Sequence, residues 1–145
     1  MIEVGLKAGD IFTWHNYPYF FKEFKSQRWL LYLGNNTLEA IVYQISTTTQ
    51  YHHYQKDGNR KKNNYFELPA GVGGLEEKSI LDLAFFENVP EADLEKYKAD
   101  ITKRGTLPQD YVNKFVKLLK EDRHIQTIIK KDIYRYLREA GFKVA

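Results

Sequence analysis

Trp29-Leu30-Leu31-Tyr32-Leu33 sets the strongest constraint on what this chain can fold into. The run is unbroken, apolar, too short for a globular helix, and ended at once by Gly34-Asn35-Asn36. A short apolar run closed by turn formers reads as a buried strand. The pattern then restarts between Glu39 and Thr49, with Ala40-Ile41-Val42-Tyr43-Gln44-Ile45 followed by Ser46-Thr47-Thr48-Thr49. The spacing predicts a second strand, joined to the first by a short hairpin. Tyr51 to Tyr54 is read as its extension.

The rest of the first 90 residues fits the same sheet. Gly9-Asp10 is a turn signal before Ile11-Phe12-Thr13-Trp14. Pro18 interrupts the aromatic run Tyr17 to Phe21, which places a loop or strand edge there. Lys22 to Gln27 reads as an exposed loop. Gln55 to Asn64 sets Lys56, Arg60, Lys61 and Lys62 around Asp57-Gly58, the composition of a basic hairpin tip. Tyr65 to Leu68 resumes as strand, Gly71, Gly73 and Gly74 make a turn, and Ser79 to Phe86 is a further core strand.

After Pro90 the period changes. Glu91 to Asp100 is a short helical segment with acidic residues in its first turn, and Lys103-Arg104-Gly105 is expected to break it. Thr106 and Pro108 are read as the start of a second helix. Tyr111, Phe115, Leu118 and Leu119 then form one apolar stripe. A third helix is predicted over about Ile125 to Ala140, with a stripe of Ile125, Ile128, Ile129, Ile133, Tyr136 and Leu137. Gly141 is its stop. The class is α+β, mainly β: a small, partly closed barrel over about 8–90 with a helical part over 91–145.

Composition narrows the function classes. The 145 residues suit one domain, 1–145. There is no cysteine, which excludes disulfides, cysteine nucleophiles and thiolate zinc sites. No apolar run approaches the roughly 20 residues that span a bilayer. The N-terminal residues lack the pattern of a signal peptide, so a cytoplasmic protein without membrane association is expected. The net charge of +3 is unevenly placed. Residues 101–145 carry 11 basic against 5 acidic residues, and residues 1–100 carry 11 against 14. A basic third favours a polyanionic partner, although solvated helix faces account for the charge alone.

The order of these segments resembles the MazF/PemK family of toxin endoribonucleases. The resemblance rests on Gly9-Asp10-Ile11, on Lys25-Ser26-Gln27-Arg28 before the Trp29 to Leu33 strand, and on Ile45-Ser46-Thr47-Thr48-Thr49-Gln50. It continues through Gly74-Leu75 to Leu83, the segment Val89 to Tyr97, and Arg104-Gly105-Thr106-Leu107. It covers about Ala8 to Arg123. Trp29 stands where family members usually carry proline after the arginine, and the last helix extends beyond the usual family end. The resemblance implies an SH3-like barrel with C-terminal helices, often a homodimer. It also implies metal-independent cleavage of single-stranded RNA by 2′-OH attack, no cofactor, and a small acidic antitoxin as partner.

RNA cleavage without a metal requires deprotonation of the 2′-OH, stabilisation of a pentacoordinate phosphorus and departure of the 5′-oxygen. A guanidinium suits the phosphorus, because its fork matches phosphate oxygens and stays charged. The resemblance assigns this task to Arg28, and to Thr48 a hydrogen bond to the phosphate or the 2′-OH. Thr47 and Thr49 are the neighbouring alternatives. Strand propensity explains the same threonine run without chemistry. His53 is a further acid–base candidate, since imidazole titrates near neutral pH. His52-His53 makes a poor zinc site, because adjacent strand residues point to opposite faces.

Tyr17 and Tyr19, beside Pro18, are candidates for stacking on unpaired bases, whereas Trp14 and Trp29 are expected in the core. Lys25, Arg60, Lys61 and Lys62 are candidates for phosphate contacts. Two other functions remain open at this point. One is a non-catalytic barrel that binds nucleic acid or protein. The other is a metal-dependent nuclease, for which the sequence offers no obvious carboxylate cluster.

Overall fold

A computed structural model describes residues 5–18, 27–35, 39–47 and 64–144. Its centre is an antiparallel sheet of six strands. These are β1 (Asp10–Trp14), β2 (Arg28–Asn35), β3 (Glu39–Thr47), β4 (Tyr65–Leu68), β5 (Ser79–Pro90) and β6 (Ile101–Thr106). Three helices accompany them: α1 (Glu91–Lys96), α2 (Gln109–Glu121) and α3 (Thr127–Glu139). Short 3-10 turns occupy Val72–Gly74 and Lys98–Asp100. The strand order is β4-β5-β3-β2-β1-β6. No described helix is long and apolar enough to cross a membrane.

The apolar run Trp29 to Leu33 lies in a central strand with partners on both sides. Leu31 pairs with Ile11 in β1 and with Tyr43 in β3. Period-two alternation then sends side chains to two separate cores. Ile11, Leu31, Leu33, Ile41, Tyr43 and Ile45 pack with Phe115, Leu119, Ile133 and Leu137 of α2 and α3. Phe12, Trp14, Leu30, Tyr32, Ala40 and Val42 pack on the other face with Tyr17, Val89 and Leu94.

β5 serves both faces because its register slips. Tyr43 pairs with Phe86 but Ile45 pairs with Leu81, which leaves extra residues on β5. Such a bulge reverses which parity faces a given core. Leu81 and Leu83 accordingly join the helix-covered core, while Val89 joins the other.

The sheet curls until its two edges approach. The 3-10 turn after edge strand β4 lies against edge strand β6. A Cβ on Gly105 would sit 2.5 Å from the Gly73 backbone, and one on Gly74 would collide with the Arg104 carbonyl oxygen. No ladder joins β4 to β6 among the described residues, so the sheet is a curled open one there. Gly34 permits a second close approach: it lies at φ +113°, and a Cβ would meet the Tyr136 ring of α3 at 2.5 Å.

Several sequence expectations change. Lys103-Arg104-Gly105 is not the break that ends the first helix, which stops at Lys96; it lies inside β6, which pairs with β1 from Asp10↔Thr106 to Trp14↔Ile101. The sheet therefore extends into the residues expected to be helical. The Thr106 hydroxyl does not cap a helix but donates to Asp10 Oδ1 at 2.9 Å, and α2 starts after Pro108 without a side-chain cap. The strand from Ser79 runs on to Pro90. Ile128, expected in the apolar stripe, is 67% exposed. Trp29 is half-buried rather than a core residue.

Candidate functional site

Antiparallel pairing brings the start of β2 and the end of β3 to one rim of the sheet. Arg28 opens β2 opposite Trp14, the last residue of β1. Thr47 closes β3 and pairs with Ser79, the first residue of β5, which in turn pairs with Leu68 of β4. The rim thus gathers the arginine and the backbone of one threonine that the sequence singled out. Thr48, Thr49 and His53 lie outside the described residues, as do Tyr19, Lys25, Arg60, Lys61 and Lys62.

Arg28 is half-buried on the face of Trp14 and Tyr17. Burial lowers its pKa, while Tyr17 and Glu87 raise it. The guanidinium stays charged, since its ordinary value leaves a wide margin above neutral pH. Glu87 reaches this environment from β5, where it pairs with Val42. The Tyr17 hydroxyl donates to the Glu87 carboxylate. The Tyr17 ring meets Trp14 edge-on at 5.2 Å, and Tyr97 lies 5.9 Å from Trp14 on that face.

Tyr17 therefore departs from the expected role. It is 0% exposed, so its ring is part of the core and does not present a face to a base. Pro18 does lie in a loop, past the end of β1 at Trp14, but the residue before it turns inward and finds an acid 70 positions away.

The opposite side of the same rim carries a second cation. The Arg104 guanidinium carbon lies 5.6 Å from the Trp29 ring centroid, and Arg104 Nε donates to Thr13 Oγ1 at 2.9 Å. A cleft of about 190 Å³ opens beside Trp29, lined by Leu75, Glu76, Glu77 and Ser79. Ser79 Oγ is engaged by the Glu77 carbonyl at 2.9 Å. Two arginines thus flank the start of β2, one on each face. Among the described residues no three His, Asp or Glu side chains converge as a metal-binding group.

Sequence reasoning missed Glu87 and Arg104 as parts of this rim. Glu87 stood out only as an acid directly after Phe85-Phe86, and a charged residue within an apolar strand is a flag for a buried contact. Arg104 gave no such flag. No protein-family model matches the chain, and no curated protein matches it.

Proposed function

We propose that this protein is a metal-independent endoribonuclease of the MazF/PemK kind, the toxin of a toxin–antitoxin pair in the cytoplasm. The single observation that carries the reading is the position of Arg28. It is a charged, half-buried guanidinium at the sheet rim where the threonine-bearing end of β3 also arrives. The curled antiparallel sheet, with α2 and α3 on one face and α1 against the other, is in keeping with a barrel of that kind.

In this reading the 2′-oxygen attacks the adjacent phosphorus and the 5′-oxygen leaves. The products are a 2′,3′-cyclic phosphate and a 5′-hydroxyl. Arg28 neutralises charge that builds on the phosphoryl oxygens, and Thr48 hydrogen-bonds the phosphate or the 2′-hydroxyl. Glu87, fixed by the Tyr17 hydroxyl, braces the guanidinium from the protein side. A homodimer and a small acidic antitoxin complete the proposal. The test is cleavage of a long single-stranded RNA in excess EDTA. Cyclic-phosphate ends are expected; 5′-phosphate ends, or loss of activity in EDTA, would overturn the chemistry.

The same observation favours a second reading. An arginine beside a buried tyrosine and a carboxylate is also what a structural arginine looks like. The rim would then belong to a non-catalytic fold that binds nucleic acid or protein. RNA affinity without cleavage, in folded and partner-free protein, would decide for it.

A further inference from the structure

A broad concavity lies away from Arg28, between edge strand β4 and helix α2. It holds about 720 Å³ and is lined by Tyr65, Phe66, Pro69, Lys78, Tyr111 and Lys114, together with Glu67 and Ala70. Phe66 and Tyr111 lie nearly parallel, 17° apart with centroids at 6.5 Å. Lys114 Nζ sits 4.8 Å from the Tyr111 ring centroid. All three rings are half-buried, so each keeps part of its surface in the groove.

We propose that this groove binds a stretch of unpaired RNA, stacking a base on Phe66 and Tyr111 and holding phosphates with Lys78 and Lys114. Aromatic rings provide the platform that any base can use, and flanking cations track the backbone. Charge disfavours a neutral or basic peptide, and the nearly parallel aromatic rings favour a base over an acidic peptide. The groove opens onto the exposed face of α2, where Lys114, Lys117 and Lys120 recur at three-residue spacing. Residues 101–145 as a whole carry 11 basic against 5 acidic side chains. Lys78 is held by Glu67 at 3.4 Å, but both side chains are well exposed, 50% and 39%. An exposed pair of that kind contributes little.

The groove is a separate anchor rather than an extension of the Arg28 rim. Two strands, β5 and β3, lie between β4 of the groove and β2 of Arg28, which makes three inter-strand spacings. At about 4.8 Å per strand this is about 14 Å, the length of roughly four stacked nucleotides. Exposed Glu76 and Glu77 occupy the cleft beside Trp29, where a phosphate would gain nothing. The proposal rests on the RNA reading above, and it predicts that only an RNA long enough to reach both places feels the groove.

The test uses the full chain and a 2′-O-methylated single-stranded RNA of about 12 nucleotides, which 2′-OH attack cannot cut. Binding is read by fluorescence anisotropy. Lys114→Glu, at an exposed position, is expected to weaken binding by about fivefold or more, as is Tyr111→Leu, and Lys114→Arg is expected to retain it. Cleavage of an unmodified dinucleotide, at about 3.4 Å per step too short to span that distance, should be the same in Lys114→Glu and wild type. Unchanged affinity in Lys114→Glu, with wild type still binding RNA, overturns the groove and leaves the RNA reading standing. A wild type that neither binds nor cuts RNA overturns both. Dissociation of a dimer by Lys114→Glu, seen in sedimentation velocity with RNA affinity unchanged, would assign the groove to a second copy of the chain and overturn the proposal.

Discussion

Replacing Asp10 with asparagine should cost this fold about 2 kcal/mol. Asp10 is 0% exposed and stands where β1 meets β6. Its Oδ2 accepts from the Lys7 amide at 2.7 Å, and its Oδ1 accepts from the Thr106 hydroxyl at 2.9 Å. Lys103 Nζ lies 3.4 Å from Oδ2, with its own side chain 43% exposed.

The substitution keeps the shape and removes the charge. The amide oxygen can keep the Lys7 N–H, and the new NH2 can donate to the Thr106 hydroxyl, which turns to accept. Both contacts then fall from charge-assisted to neutral strength, at about 1 kcal/mol each. The Lys103 pair adds little, because that lysine is in water. The assay is urea unfolding of wild type and Asp10→Asn, with the midpoint shifting and the slope constant. In a thermal scan the loss is about 5–10 °C for a chain of this size. A change below about 0.5 kcal/mol would refute the reasoning, since it would mean the carboxylate had kept its water.

Three further perturbations bear on the packing. Gly34→Ala should destabilise by about 2–4 kcal/mol in urea, because the residue lies at φ +113° and the new Cβ would press on the Tyr136 ring. Tyr43→Phe should be neutral or stabilise by up to about 1 kcal/mol, since the Tyr43 hydroxyl is buried with no hydrogen-bond partner among the described residues. Burial, with Glu91 next in weight, pushes the Tyr32 phenol up to about 12 from its ordinary value of 10.0. The folded state then holds the proton more tightly than the unfolded one. Its contribution is full below about pH 10 and is lost as pH rises towards about 12. Unfolding scans across that window should show the decline, and Tyr32→Phe should flatten it.

Much of the fold was legible because local pattern and tertiary role agreed. The Trp29 to Leu33 run is apolar throughout because β2 is covered on both faces, and Gly34 ends it where the helix side packs close. The amphipathic stripe around Phe115 and Leu119 is the buried face of α2. β6 was illegible for the opposite reason. It is an edge strand with one partner, and Thr102, Lys103 and Arg104 are all exposed, so no alternation is written into it. The reversal of faces in β5 depends on a bulge that no residue type announces.

The candidate site divides in the same way. Arg28 could be placed because a strand begins at it. Its surroundings could not, because Tyr17 and Glu87 are 70 residues apart and meet only across the folded sheet. The burial of Tyr17 follows from that contact and not from the proline beside it. The β4–α2 groove joins Phe66 to Tyr111, two rings that the sequence assigns to different elements with no sign of adjacency.

The most direct test of the central claim compares wild type with Arg28→Ala on a long single-stranded RNA in EDTA, at matched urea stability. The account predicts cleavage by wild type to 2′,3′-cyclic-phosphate ends and a rate lower by about 100-fold or more in the variant, the usual loss when a charge-stabilising donor is removed. Equal cleavage by a folded Arg28→Ala would remove this arginine from the mechanism and contradict the account at its centre.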